Sequence, residues 1–141
     1  MDRQVMERKL EALRVCLQRL RDRRPASAQL LALDQDAQDV LVLNLARAVQ
    51  LCVDMAAHLL AGTSQSVPAT MAEAFLLLAR LGVIDDDLAL RMRRSVGFRN
   101  IAVHNYEVLN WQLVFELAGD PLRDFDRFAV AVAQHLQESK Q

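Results

Sequence analysis

The chain has 141 residues, 52% of them hydrophobic and 25% charged, with a formal net charge of −1. That size and apolar content suit one domain, residues 1–141, with its own core, and exclude a disordered chain. A charge balance near zero excludes the global basic field that announces nucleic-acid binding.

Asp2 is placed to cap a first helix running to about Arg24. Its apolar residues Met6, Leu10, Leu13, Leu17 and Leu20 recur in steps of four and three, a seam that needs a partner helix from the same chain or from a second copy. Pro25 closes the segment. A long second helix is expected over 27–60, with a stripe of Ala37, Leu41, Leu45, Ala48, Cys52, Met55 and Leu59, ended by Gly62. The stretch 62–68, GTSQSVP, reads as a loop. Thr70 with Glu73 three residues on resembles a capping box, opening a short helix that Gly82 stops. Asp85 caps a fourth helix, Asn110 a short fifth, and Asp120 with Pro121 starts a last one over about 121–138. No strand or hairpin signal interrupts this pattern, so the expected fold is an all-α, up-down bundle of five to six helices.

Cys16 and Cys52 each fall on an apolar helix face and lack metal-ligand spacing, so both read as reduced core residues of a cytoplasmic protein. The charged, amphipathic start does not read as a signal peptide, and no run of about 18 apolar residues points to a membrane span.

One stretch of the fourth helix stands apart. SVGFRNIAVHNYEV, residues 95–108, sets Arg99, Asn100, His104, Asn105 and Tyr106 among apolar residues. On an ideal helix His104 lies roughly 140° round from Arg99, while Tyr106 returns close to the Arg99 face. If the helix loosens near His104, all three can converge on one cleft. Arginine holds phosphate, histidine moves protons near neutrality, and tyrosine offers a hydroxyl and a stacking face. That is a sufficient kit for cutting RNA without metal, because the ribose 2′-OH is the nucleophile. One histidine does not easily act as both base and acid, so two copies of the motif facing each other would supply both. The competing reading is a chance cluster at a helix end.

The spacing of Arg99, His104 and Tyr106 resembles the Arg-x4-His-x-Tyr motif of the HEPN superfamily, in particular that of HepT-like toxins paired with MntA-type nucleotidyltransferase antitoxins. The stretch GFRNIAVHNY, residues 97–106, is similar to the signature of that family. Residues 45–62 resemble its second helix, and residues 67–92 resemble its middle segment. The likeness covers about 30–138. It implies a HEPN-like, dimerising helical domain whose two motifs meet at a shared cleft. It also implies a metal-independent endoribonuclease toxin with no cofactor of its own. Arg99 and His104 would be catalytic, with Arg99 on the phosphate and His104 transferring protons. Tyr106 would be the tyrosine that the antitoxin modifies with AMP from ATP. Asn100 would be a supporting polar residue, and Asn105 has a weak role at most. The alternative is a non-catalytic helical partner of a minimal nucleotidyltransferase that uses the motif to bind nucleotide.

Other polar groups are read beside the motif. Arg94 extends a phosphate-binding strip towards Arg99, whereas Arg91 and Arg93 fit solvated surface or pairs with Asp85–Asp87. Arg47, Gln50, Asp54 and His58 form a polar stripe that fits an ordinary wet helix face better than a cleft wall. His135 reads as structural, Trp111 and Phe115 as core, and the three aspartates as helix-start charges rather than a metal site.

Overall fold

The computed structural model describes residues 1–64 and 68–139. Among these residues the chain is all helix and turn. It forms α1 (Arg3–Arg23), α2 (Ala28–Leu33), α3 (Gln35–Leu60), α4 (Met71–Arg80), α5 (Asp86–His104), a 3-10 turn (Tyr106–Val108), α6 (Trp111–Leu117) and α7 (Leu122–Ser139).

Short polar side chains start the helices by taking up free amides. Asp2 accepts from the Val5 amide, Thr70 from Glu73, Asp85 from Leu88 and Asn110 from Gln112 and Leu113. Glu73 returns the contact one residue outside the usual box, accepting from the Ala69 amide at 3.0 Å. Gly82 ends the α4 turn at φ +80, a left-handed conformation that a Cβ would strain. The helix expected over 27–60 is broken at Asp34, which leaves helical geometry and caps α3 through the Ala37 amide at 3.1 Å. An aspartate inside an apolar period competes for backbone amides, and here that competition wins over the periodicity. The loop expected at 62–68 lies partly outside the described residues.

α3 is the central helix and touches every other α-helix. It is long and apolar enough to cross a membrane by length and composition, but more than half of its most apolar window is buried inside the bundle. The α1 seam finds its partner within the chain: Met6, Leu13, Leu17 and Leu20 are buried, and α1 packs most extensively on α3. The Asp2 amide donates to His58 Nε2 at the far end of α3, so α1 and α3 run antiparallel. α1 and α7 are also antiparallel: Arg3 donates to the Leu136 carbonyl at one end, and Arg21 pairs with Asp126 at the other. Phe75 of α4 meets Phe128 of α7 edge to face, with centroids 5.7 Å apart, and both rings are fully buried. Cys16 and Cys52 are buried free thiols, as expected of core residues.

Candidate active site

The motif occupies the last turn of α5 and the break that follows it. Asn105 takes φ −151 and ψ 53, while its amide still bonds the Ile101 carbonyl at 2.8 Å. The helix therefore ends at His104, and Tyr106 enters a 3-10 turn instead of returning to the Arg99 face. Of the two geometries open to the sequence, the chain adopts the broken one.

The break directs Tyr106 towards the first turns of α3. Its hydroxyl donates to Asp39 Oδ1 at 2.6 Å, and its ring meets Trp111 edge to face with centroids 6.0 Å apart. Burial, then the bond to the Asp39 carboxylate and its negative charge, push the phenol up to about 12. The residue nevertheless remains 38% exposed. Arg99 is half-buried and donates to Asn100 Oδ1 at 3.3 Å. His104 and Asn105 are exposed. His104 is thus open to solvent, and Arg99 is partly so.

Among the described residues, no hydrogen bond joins Arg99, His104 and Tyr106 to one another within a chain. The cause is geometric: five helical positions separate the guanidinium and imidazole by roughly 140°, and the break carries the phenol to α3. Ile101, Val103 and Val108 expose apolar surface beside them.

The neighbouring residues divide by charge pairing. Arg91 bonds Asp87 at 3.1 Å and lies 4.0 Å from Asp124, and Arg127 pairs with Asp85 and Asp87. The aspartates at the start of α5 therefore tie α5 to α7. Arg94 is exposed at the rim of an apolar cavity of about 210 Å3 that includes Met92, Phe98 and Phe125. Trp111 and Phe115 are only partly buried. Phe115 carries the Arg24 guanidinium 3.7 Å above its ring. Among the described residues, no three His, Cys, Asp or Glu groups cluster as a metal site. Asp39, the partner of Tyr106, has no signal in the sequence: it is one acid on a helix start, 67 positions from the tyrosine.

Comparison with known proteins places the chain in a family. The chain is 36% identical over 95 residues to the mRNA nuclease HepT of Shewanella oneidensis, covering 67% of this chain and 71% of that protein. Two solved structures superimpose closely. One is a toxin–antitoxin with AMP-PNP, at TM-score 0.87 and 27% identity, covering 93% of this chain and 98% of the other. The second is a tri-AMPylated Shewanella oneidensis HEPN toxin in complex with MNT antitoxin, at TM-score 0.87 and 29% identity, covering 95% and 99%. The cytosolic protein YutE of Bacillus subtilis shares the fold at TM-score 0.85 and 13% identity, covering 98% of this chain and 92% of that one. Residues 10–132 match the family described as Ribonuclease HepT-like, so the chain belongs to the HepT-like family.

Proposed function

We propose that this protein is a metal-independent endoribonuclease, the toxin of a two-protein toxin–antitoxin pair acting in the cytoplasm. The observation that carries the reading is an Arg-x4-His-x-Tyr motif, open to solvent at the end of α5, in a chain of the HepT-like ribonuclease family.

The ribose 2′-OH attacks the adjacent phosphorus, and the P–O5′ bond breaks to leave a 2′,3′-cyclic phosphate. One imidazole takes the 2′ proton and another gives a proton to the leaving 5′ oxygen. General acid–base help of this kind is worth about 10²–10⁴-fold. Arg99 offsets the charge that builds on the phosphate oxygens. One His104 per chain means that a homodimer supplies both proton-transfer groups, and the exposed Ile101, Val103 and Val108 beside the motif give the two copies apolar surface to bury. Asn100 holds Arg99 through its side-chain oxygen, Asn105 makes the break, and Arg94 extends the positive strip.

A nucleotidyltransferase antitoxin of the MntA type silences the site. The Tyr106 oxygen attacks the α-phosphorus of ATP, pyrophosphate leaves, and the phenol proton is released. Each AMP added puts bulk and negative charge at the end of the motif, where it competes with RNA for the site. The tri-AMPylated HEPN toxin among the structural relatives supports this part of the reading.

The test is RNA cleavage in EDTA by the purified protein and by Arg99→Ala and His104→Ala. Both variants should fold and lose cleavage. Wild-type cleavage in both would overturn the reading.

A further inference from the structure

A second polar feature lies on the other side of the Tyr106–Asp39 contact. α1 and α3 flank two adjoining cavities of about 320 and 460 Å3, which share Arg19, Asn44 and Arg47. Asp39 lines the first cavity and Asp54 the second.

The groove has an unusual division of partners. Its two carboxylates are engaged: Asp39 by the Tyr106 hydroxyl, and Asp54 by Gln50 at 2.8 Å and Lys9 at 3.6 Å. Its two guanidiniums are not. Among the described residues, neither Arg19 nor Arg47 donates a hydrogen bond or joins an ion pair, and both are exposed. Burial raises the Cys16 thiol, and Arg47 and Arg19 oppose that shift, which places both positive charges near the same point of α1.

Between them sits Asn44, only 2% exposed. Its amide nitrogen donates to the Val40 carbonyl at 2.8 Å, but its carbonyl oxygen has no partner. A buried acceptor left unsatisfied costs stability unless something donates to it. Exposed Val15 and Leu43 line the same two cavities and offer apolar surface. Two unpaired guanidiniums and apolar walls are complementary to a phosphate and a flat ring.

We propose that the α1–α3 groove is a nucleotide-binding site, with Arg19 and Arg47 on the phosphate and the exposed Val15 and Leu43 side chains against the base. Two sources carry that chemistry: a nucleotide of an RNA strand, or the adenylyl group on Tyr106, whose hydroxyl is held at the rim by Asp39. Only the choice of source rests on the function proposed above.

The test is equilibrium binding of two probes, a fluorescent 2′-O-methyl oligoadenylate and free AMP, to the full chain. With its 2′ oxygens blocked, the oligonucleotide cannot be cleaved, so the result is independent of nuclease activity. Arg19→Gln and Arg47→Gln, both at exposed positions, should each weaken binding about five- to ten-fold. The salt dependence should flatten by about 0.7 in log–log slope for each phosphate that the variant no longer neutralises. Weakening confined to the oligonucleotide assigns the groove to the RNA strand. Weakened AMP binding assigns it to the adenylyl group. Either result supports the site, even in a protein that cleaves no RNA. Wild type that binds neither probe, or an Arg19→Gln/Arg47→Gln variant that binds both unchanged, overturns it.

Discussion

Tyr106 reaches across the bundle and donates its hydroxyl to Asp39 at 2.6 Å, joining the end of the motif to the first turns of α3. The contact keeps the phenol protonated by burial and by a neighbouring negative charge, at about 12 instead of 10.0. Asp39→Ala should bring the value back towards 10.0. Tyr106 is the chain's single tyrosine, so ultraviolet titration of tyrosinate reads it directly. Because the folded value lies above the unfolded one, the bond's contribution to stability is complete below pH 10 and is lost as pH rises through 12. Asp39→Ala should reduce that alkaline loss and leave the part set by burial. A titration midpoint left near 12 would show that Asp39 does not set it.

Tyr106 should also be the adenylylation site. Intact mass after incubation with the cognate nucleotidyltransferase and ATP should rise by one or more adenylyl units in the wild type. Tyr106→Phe should show no increase. Modified protein should cleave RNA more slowly than unmodified protein, in proportion to the modified fraction.

The joint between α4 and α7 is the place to test core packing. Phe128 is fully buried and meets Phe75 edge to face. Phe128→Ala removes a large apolar side chain that the surrounding helices do not refill, at a cost of about 3–5 kcal/mol. Chemical denaturation should show a loss of that size. A change below about 1 kcal/mol would mean that the site collapses around the deletion.

Asp85 serves both helix initiation and tertiary contact. It accepts from the Leu88 amide at 2.7 Å and lies 3.3 Å from Arg127 of α7. Asp85→Ala should destabilise by about 0.5–2 kcal/mol, nearly all from removal of the cap. The exposed ion pair adds little, because solvent screens it. Arg127→Ala should accordingly cost less than Asp85→Ala in the same urea titration.

What was legible in the sequence was set by local physics. Capping residues at Asp2, Thr70, Asp85 and Asn110 start helices where short side chains bond free amides, and Gly82 ends one where a positive φ is needed. The apolar period announced the bundle, and the run from Arg99 to Tyr106 announced the family, since both are written in consecutive residues. Asp34 was missed because its cap competes with an apolar period that continues across it. The tertiary structure alone decided that the helix stops at His104, that Tyr106 turns to Asp39, and that Arg19, Asn44 and Arg47 gather in one groove between α1 and α3. Those relations join residues far apart in the chain, and they follow from how helices pack rather than from any spacing along it.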